Sequence, residues 1–545
     1  MVSAIRGETK SVLEQDPVTF EVIKSALYAI CAEMKSVIMR TSFSPLLSLS
    51  ADLSCAILDV QGNVIAQGVD IPVHLGAARF TALSALKRFP IETWQEGDGV
   101  LLNDPYEGGT HLPDMSLLTP VFQMEQKIGF VLSRIHWPDI GGIAAGSSSV
   151  CDEILKEGLR IPPIKIIESC VVRADVLRLI LANVRVPLDR NGDFQAALAG
   201  HARATDRVRE LCTRYGADTV VQVMADTQIY SRRLVQARLA GLPDADVSNE
   251  ETLDGDGIDP DAMPVIKVRI RKVGTNLIFD FTGSSACVAG PINAPLPVTA
   301  SAVYYTVLSF LGGDIAPNSG VYDGVEIIAP EGSIVHATYP SPVVAANTET
   351  ANRMVDVLMG ALAKVYPDRV SAGSYGSACV YTLGGVHAQQ HNRPFVHYET
   401  IGGGMGGTSQ GRGASGLRVH MGNTMNLPIE SIEASVPVRF VNYEIVADSG
   451  GAGLHRGGDG VRKTFESLAD GVQASVLGER TRTPACGISG GATGSLARFR
   501  LISDSGVREL ESKSGPHRLA RGDRLEMITA GGGGWGVHNQ SEETE

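Results

Sequence analysis

The chain has 545 residues, of which 43% are hydrophobic and 20% charged, enough apolar material for one large core or several smaller ones. Its net charge is −13 and it has no run of Lys or Arg, which argues against a nucleic-acid-binding protein because such proteins carry a basic face or tail. With no signal-peptide core, no apolar stretch long enough to cross a membrane and eight scattered cysteines without a Cys-x-x-Cys pair, we expect a cytoplasmic protein with reduced thiols.

The first half of the chain is predicted to begin with a helix followed by strands. Asp16 and Pro17 form a typical helix start, and apolar residues then recur at helical spacing to about Arg40. Residues 50–67 contain two strand patterns around a Gly-Asn turn. Residues 191–242 are predicted to form a helical hairpin whose first helix ends near Gly216.

The second half mixes one buried helix, one amphipathic helix and much glycine-rich sequence. A strand pair is predicted over residues 253–283, a buried helix over 298–311, a helix after Asn347, and strand-like structure beyond Pro367. This mixture favours an α+β (mixed α/β) fold of intertwined subdomains with helical hairpins and glycine-rich β structure. We expect an N-terminal extension (1–15), a metal-bearing α+β region with the helical hairpin (16–250), a glycine-rich α+β region (251–537) and a loose tail (538–545).

The stretch from residue 99 to residue 137 contains His111, Asp114 and His136. Two imidazoles and a carboxylate are a common ligand set for a catalytic divalent metal, and they leave positions open for water or substrate. The spacing alone is weak support, because both histidines could be ordinary polar residues at strand ends.

The predicted local structure strengthens the metal interpretation. Two strand patterns flank the polar turn QMEQK and suggest a hairpin centred near Gln126. In that register His136 lies opposite Ser116, and Asp114 is its diagonal neighbour on the same face, roughly 7–8 Å away. The glycine loop NDPYEGGTH can fold back over this edge, so that His111 joins the pair.

Two further polar residues stand in apolar surroundings. Asp52 lies within SLSADLSCAIL and His74 within DIPVHLGAA. Each could orient a metal ligand or act as a general base. The alternatives are a turn-capping aspartate and a half-buried histidine whose hydrogen bonds are satisfied.

The run YETIGGGMGGTSQGRGASG contains a formal dinucleotide fingerprint at Gly402, Gly404 and Gly407. No helical pattern follows these glycines, so we interpret the run as a loop packed against a substrate or subunit surface. The chain contains no Gly-Lys dipeptide and therefore no Walker A loop, and it has no HExxH motif. We assign no cofactor-binding residues other than metal ligands.

A series of segments in order carries a family resemblance. They are DPVTFEVIKSAL, SADLSCAILDVQGNVIAQ, IPVHLGA, GDGVLLNDPYEGGTHLPDMSLLTPVF, DFTGSS…GPINAP, NTETANRMVDV, YETIGGGMGG, HMGNTMNLPIE, ERTRTPACGISGG and AGGGGWG. On these segments the chain resembles the hydantoinase B/oxoprolinase family over nearly its whole length. Relatives in that family include B-type chains of N-methylhydantoinase and caprolactamase, the C-terminal half of 5-oxoprolinase, and subunits of acetone and acetophenone carboxylases.

The resemblance implies a division of labour between two proteins. A hydantoinase A-type partner would bind ATP with Mg and phosphorylate the substrate, and the B-type chain would hold a divalent metal (Zn, Mn or Fe) in a hetero-oligomer. The family's metal motif is similar to His111, Asp114 and His136 residue by residue. The implied reaction is ATP-dependent opening of a small cyclic amide: a hydantoin, 5-oxoproline or a lactam. Asp52 or His74 would orient or deprotonate the attacking water.

Three other functions stay open on the sequence. The chain could belong to an ATP-dependent ketone carboxylase, although its length is closer to that of the hydrolases. Two histidines and a carboxylate also describe the facial triad of an iron oxygenase, which the resemblance disfavours. A third possibility is a non-catalytic scaffold for the A-type partner.

Overall fold

The computed structural model describes residues 11–312 and 314–537. Its helices are α1 (Val12–Gln15), α2 (Pro17–Thr41), α3 (Pro45–Ser48), α4 (Ala77–Arg88), α5 (Ala174–Leu181), α6 (Pro187–Tyr215), α7 (Ala217–Ala240), α8 (Leu296–Leu311), α9 (Ala351–Ala363) and α10 (Ile429–Ser435). Its strands are β1 (Leu53–Leu58), β2 (Val64–Gln67), β3 (Gly99–Leu102), β4 (Asp114–Gln123), β5 (Gln126–His136), β6 (Ile164–Glu168), β7 (Val171–Val172), β8 (Ala245–Thr252), β9 (Val265–Val273), β10 (Asn276–Asp280), β11 (Val325–Ile328), β12 (Val380–His387), β13 (Arg393–Thr400), β14 (Val438–Ile445), β15 (Val461–Ser467), β16 (Val472–Leu477), β17 (Arg498–Ser503), β18 (Gly506–Leu510), β19 (Lys513–Leu519) and β20 (Arg524–Ile528).

The strands form four sheets. The largest has seven strands in the order β2-β1-β5-β4-β3-β6-β7, and its pairs are antiparallel. The others have the orders β11-β10-β9-β8, β13-β12-β16-β19 and β14-β15-β20-β17-β18. Helices and mostly antiparallel sheets together confirm the predicted α+β class.

The seven-stranded sheet is buried on both faces, because side chains alternate along its strands. In β1, Cys55 and Ile57 join the core formed with α2 and α6, whereas Ala56 and Leu58 join a smaller core with α4. Both faces of the central strands are therefore shielded from water, which accounts for the largely apolar sequences of β4 and β5.

The second large core surrounds α8 and α9 and the sheet that contains β8, β9 and β10. It contains Leu239 as well as Leu253, and it also takes in Tyr398 and Met421 from the glycine-rich part of the chain. The two predicted regions are therefore intertwined, because both contribute side chains to the same core. The boundary placed between residues 250 and 251 stays a prediction.

Glycine-rich segments pack directly against one another in the C-terminal part of the chain. Gly458 donates its amide hydrogen to Met405 (2.8 Å), and Gly532 donates to Gly458 (2.9 Å). A Cβ on Gly404 would lie 2.1 Å from the carbonyl oxygen of Gly458, so a side chain does not fit there. These glycines allow backbones to approach at distances that side chains would forbid.

This packing corrects the interpretation of the run at Gly402, Gly404 and Gly407. As predicted, no helix follows these glycines. However, all three glycines are buried among segments of the same chain, so these positions do not form the predicted surface loop, whereas Gln410 and Arg412 further along the run are exposed. Their neighbours are other glycine segments, which a linear pattern does not reveal.

Most predicted helices are confirmed with small changes of boundary. Helix α2 begins at Pro17, with the Asp16 carboxylate accepting the amide hydrogen of Thr19 (3.0 Å). The predicted helical hairpin is α6 and α7, although α6 already begins at Pro187. The buried helix predicted over 298–311 is α8.

The predicted strand pair over residues 253–283 is only partly right. It corresponds to β9 and β10, while residues 253–264 are irregular and β8 ends just before them. Residues 1–10 of the predicted N-terminal extension and the predicted tail, 538–545, lie outside the described residues. Within the part of the chain that the structure describes, all eight cysteines are free thiols, and no helix is long and apolar enough to cross a membrane.

Candidate metal centre

The predicted hairpin exists, but its register differs from the predicted one by two residues. Asp114 and His136 are direct cross-strand partners, whereas Ser116 pairs with Arg134. The turn lies between Gln123 and Gln126 rather than around Gln126, which alone would displace the register by three residues, and a bulge between Val121 and Phe122 moves the pairing back by one. The correction brings the two candidate ligands closer together than predicted.

His111, Asp114 and His136 meet at the open end of this hairpin. His111 lies in the turn before β4, and its carbonyl oxygen accepts the amide hydrogen of Asp114 (3.1 Å). All three side chains are buried, with exposed fractions of 1%, 1% and 2%. The glycine loop thus folds back over the sheet edge as the sequence predicted.

One atom from each of the three side chains forms a nearly equilateral triangle. His111 Nε2 lies 3.2 Å from Asp114 Oδ1 and 3.3 Å from His136 Nδ1, and His136 Nδ1 lies 3.4 Å from Asp114 Oδ1. Ligand atoms bound about 2.1 Å from one ion, at tetrahedral or octahedral angles, are about 3.0–3.4 Å apart. The three atoms therefore have the mutual spacing of ligands to a single cation.

The hydrogen bonds to Asp114 leave one of its two oxygens available. Asp114 Oδ2 accepts hydrogen bonds from Thr110 and Asn347 (3.3 Å to the amide nitrogen) and contacts His74 Nε2 (3.2 Å). By contrast, the buried Oδ1 atom of Asp114 has no hydrogen-bond partner among the residues that the structure describes. A buried carboxylate oxygen without a partner is rare, and a cation would satisfy it. The residues present therefore fit a divalent metal.

The ring of His111 is also oriented by a hydrogen bond. Its Nδ1 lies 3.4 Å from the carbonyl oxygen of Val344, and a hydrogen bond there places the lone pair on Nε2, toward the triangle. Glu157 fixes that carbonyl by accepting the amide hydrogens of Val343 (2.6 Å) and Val344 (2.9 Å). Burial outweighs these two hydrogen bonds and raises the pKa of Glu157 to about 8.

Electrostatics keep the aspartate ionised. Burial alone would raise the pKa of Asp114, but the charges of His111 and His74 outweigh it and hold the pKa well below the usual value. Burial would also lower the pKa of His111, yet the neighbouring Asp114 charge raises it. The cluster thus has a buried negative charge at its centre.

The two other candidate residues both lie at the site, but in different positions. His74 has both ring nitrogens engaged, one with Asp114 and the other with Ser54 Oγ (2.9 Å), so its geometry suits orientation of the aspartate. Asp52 borders the cavity beside the triangle, 3.9 Å from His136 Nδ1, and burial raises the pKa of its carboxyl group. No donor in the described residues hydrogen-bonds to that carboxylate, which leaves it free to accept a proton.

A cavity of about 40 Å³ opens beside Asp52, Asp114 and His136. Its lining also includes Tyr398, whose ring lies 4.5 Å from that of His136, and Arg418. Sequence reasoning did not single out these two residues, nor Thr110 and Asn347. Three of the four lie inside segments that carry the family resemblance, and Arg418 stands just before one of them, but nothing in the linear pattern brings residues 110, 347, 398 and 418 together.

Comparison with known proteins identifies the family. A family model described as hydantoinase B/oxoprolinase matches residues 16–538. The chain is 36% identical to an uncharacterized protein of Methanocaldococcus jannaschii over 96% of this chain and 91% of that one. It is 31% identical to the putative B chain of a D-/L-hydantoinase from a Pseudomonas species, covering 98% and 92% of the two chains.

Longer relatives and solved structures agree. 5-oxoprolinase 1 of Arabidopsis thaliana is 32% identical over 96% of this chain, which spans only 42% of that relative's length. The crystal structure of an ATP-dependent caprolactamase from Pseudomonas jessenii superposes with a TM-score of 0.88 at 28% identity, covering 96% and 91%. A nucleotide-free acetone carboxylase superposes with a TM-score of 0.87 at 18% identity, covering 97% and 77%, a likeness of fold alone. The chain belongs to the hydantoinase B/oxoprolinase family.

Proposed function

We propose that this member of the hydantoinase B/oxoprolinase family is the metal-bearing subunit of an ATP-dependent hydrolase of cyclic amides. A hydantoinase A-type partner would bind ATP with Mg and phosphorylate the substrate. The observation that carries the proposal is the triangle of His111 Nε2, Asp114 Oδ1 and His136 Nδ1, buried and bordered by a carboxylate that lacks a hydrogen-bond donor. Relatives named as hydantoinase, caprolactamase and 5-oxoprolinase support the choice of cyclic amides.

His111, Asp114 and His136 would hold the metal, which we expect to be Zn, Mn or Fe. When bound, a divalent cation supplies Lewis-acid polarisation of an oxygen atom and lowers the pKa of a water molecule. Thr110, Asn347 and His74 act on the other oxygen of Asp114 and hold its carboxylate plane in place. This arrangement orients the site before any substrate arrives.

Asp52 is the residue we assign as general base. Its carboxylate faces the cavity, and because burial raises its pKa it is a better proton acceptor than an exposed aspartate. His74 is assigned a positioning role instead, because both of its nitrogens already have partners. Tyr398 and Arg418 close the cavity and would exclude bulk water from a labile phosphorylated intermediate.

The need for a partner follows from the energetics of ring opening. An unstrained cyclic amide is resonance-stabilised, and a metal site can supply a nucleophile but not the driving force. Phosphorylation of the carbonyl oxygen would supply that force, yet the sequence contains no Walker A loop. Two relatives are named as single chains of larger enzymes, the B chain of a hydantoinase and the beta chain of a caprolactamase. We therefore propose a hetero-oligomer of A-type and B-type chains.

The test is to produce this chain alone, its A-type partner alone, and the two together. Hydantoins, 5-oxoproline and lactams are then screened for ring opening and ADP release. Turnover should require both chains and ATP. Efficient turnover by this chain without ATP would contradict the proposal and point to a self-sufficient metallohydrolase.

Added bicarbonate separates hydrolysis from ketone carboxylation. If the complex consumes bicarbonate and ATP with a ketone and opens no ring, the carboxylase alternative is correct. Oxygen consumption that depends on iron and not on ATP would instead indicate an oxygenase. Full ring-opening activity in a chain stripped of metal ligands would indicate a scaffold.

A further inference from the structure

The metal cavity is too small for the proposed substrate. At about 40 Å³ it has room for no more than a few water molecules, whereas a cyclic amide has a ring of five or more atoms with further substituents. The ring must therefore bind elsewhere at first. A second cavity of about 250 Å³ lies on the other side of Tyr398, which lines both. We call it the arginine cavity, after Arg190 in its wall.

The wall of the arginine cavity contains buried nitrogen atoms that lack partners. Arg190 is 1% exposed, and its Nε and Nη1 atoms have no hydrogen-bond partner within residues 11–312 and 314–537. His387, also in the wall, is 7% exposed, and within the same residues its Nδ1 atom is likewise without a partner. Unsatisfied buried polar atoms are uncommon in folded proteins, and several of them around one cavity indicate a missing ligand.

Arg190 forms an ion pair through only one of its nitrogen atoms. Its Nη2 atom lies 3.1 Å from one oxygen of Asp193, and the other oxygen of Asp193 accepts the amide hydrogens of Phe43 and Ser44 (3.0 Å each). Asp189, also in the wall, is 3.4 Å from the exposed Arg393. The buried guanidinium thus retains donors directed to no protein acceptor.

Part of the remaining wall is apolar and suits a small ring. Phe43, Phe395 and Tyr398 contribute aromatic surface, and Leu46 adds aliphatic surface. The charged side chains of the wall are Arg190, Arg393 and Asp189, so cations outnumber anions there. Apolar surface combined with a few charged groups is typical of sites for small organic ions. The ligand chemistry indicated is a compact ring that carries an anionic group.

We infer that the arginine cavity binds the carboxylate of a ring substrate, with Arg190 as its counter-charge and Tyr398 between it and the metal ligands. The inference rests on the proposed function for the identity of the ring, and it selects carboxylate-bearing cyclic amides over neutral lactams. A phosphoryl group is the other source of anionic oxygens. However, a phosphate on the reacting carbonyl would lie beside the metal cavity and Arg418, not beyond Tyr398.

The inference is tested by equilibrium binding to the chain co-purified with its partner, without ATP and without added metal. The probes are 5-oxoproline, its neutral counterpart 2-pyrrolidinone, and inorganic phosphate, measured by isothermal titration calorimetry. We expect 5-oxoproline to bind at least tenfold more tightly than 2-pyrrolidinone. Arg190→Gln should remove that difference, and Arg190→Lys, which keeps the charge, should retain much of it.

Two further variants keep the result interpretable. Arg190→Gln leaves Asp193 without its ion pair, so the double variant Arg190→Met with Asp193→Asn is compared if the single variant does not fold. His387→Gln should weaken 5-oxoproline binding severalfold, by a smaller factor than Arg190→Gln.

Two results would overturn the inference. One is 5-oxoproline binding in Arg190→Gln that equals binding to the wild type. The other is Arg190-dependent binding of phosphate that is tighter than that of 5-oxoproline, which would assign the cavity to a phosphoryl group. Because these measurements need neither turnover nor metal, tight 5-oxoproline binding without ring opening would refute the proposed function alone.

Discussion

Replacing His136 by phenylalanine should remove the bound metal while leaving the fold intact. The new ring can keep the packing against Tyr398, whose ring centre is 4.5 Å away, and removal of His136 Nε2 deprives no protein group of a hydrogen bond. What disappears is Nδ1, one of three atoms in the ligand triangle. Metal content of the wild type should be about one ion per chain, and that of the variant close to zero.

The matched control is His201→Phe. His201 is also buried against β5, but its ring nitrogens contact the hydroxyls of Thr119 (2.7 Å) and Ser133 (2.9 Å). Neither of these residues belongs to the ligand triangle. Burial lowers the pKa of His201 to about 3, so it is a neutral structural residue. Its replacement removes two hydrogen bonds, which costs about 1–3 kcal/mol of stability, yet it should leave the metal content unchanged.

The expected magnitudes can be compared on one scale. Metal present at about a thousand times its dissociation constant adds about 4 kcal/mol to the free energy of unfolding. For a chain of 545 residues the entropy of unfolding is about 1 kcal/mol per kelvin, so the melting temperature rises by roughly 3–4 °C. His136→Phe should lose this metal-dependent rise, and His201→Phe should keep it on a baseline lower by about 1–3 °C.

The assay combines elemental analysis with melting curves recorded after chelation and after reloading with Zn, Mn or Fe. The partner is kept present throughout, so that any shared stabilisation is constant. If His136→Phe retains wild-type metal content and the full metal-dependent rise, the ligand assignment is wrong. If both variants lose metal, the loss reflects general destabilisation and not the removal of a ligand.

Three further outcomes follow from the structure. Glu157→Gln should match the wild type in stability near pH 4 and exceed it by about 2–4 kcal/mol at pH 7 in urea titrations, because Glu157, with a pKa of about 8, stays protonated in the fold whereas the unfolded chain loses that proton as the pH rises above about 4.5. Glu157→Ala leaves two backbone amide donors without an acceptor and should be about 2–4 kcal/mol less stable than Glu157→Gln at either pH. Equal stabilities of the two variants, or a wild type whose stability relative to Glu157→Gln does not fall between about pH 4.5 and 8, would contradict this. Asp356 and Glu399, whose pKa values are lowered to about 2, should have the opposite effect. Each should add about 2–3 kcal/mol to the free energy of unfolding above about pH 4–5, and this contribution is lost as the pH falls toward 2. In Asp356→Asn and Glu399→Gln the free energy of unfolding should therefore fall less steeply at acid pH than in the wild type. Gly404→Ala should prevent correct folding, seen as insoluble or protease-sensitive protein, while Gly411→Ala, with no atom within 4 Å of the added Cβ, should be neutral.

The sequence predicted those parts of the site that depend on local geometry. A loop followed by two strands is enough to bring His111, Asp114 and His136 to one sheet end, because cross-strand neighbours are fixed once a hairpin forms. The two-residue error in register is the net result of a turn that lies earlier than predicted and a bulge at Val121 that partly compensates for it. Neither feature has a strong signal in QMEQK, where no glycine marks the turn and Met124 takes the positive φ.

The rest of the site could not be predicted because it depends on contacts between distant segments. Asn347 reaches Asp114 across more than two hundred residues, and Tyr398 packs on His136 across an even longer separation. The glycines near residue 404 raised the same problem in another form. Their neighbours are other glycine-rich segments of the chain. Glycines that match a nucleotide-binding pattern in the sequence are therefore buried against other backbone segments in the fold.

The position of the site explains why the two halves of the chain are intertwined. The ligand triangle belongs to the seven-stranded sheet, whereas Asn347, Tyr398 and Arg418, which orient it and close its cavity, come from segments more than two hundred residues later. A metal site built by the first half alone would keep Thr110 and His74 beside the Asp114 carboxylate but would lack Asn347 and the cavity wall that Tyr398 and Arg418 provide. Because the second half supplies these residues, the complete surroundings of the ligands, the metal cavity and the adjoining arginine cavity form together when the shared cores pack. Separating the halves between residues 250 and 251 would therefore leave the site incomplete even if each half retained its own strands.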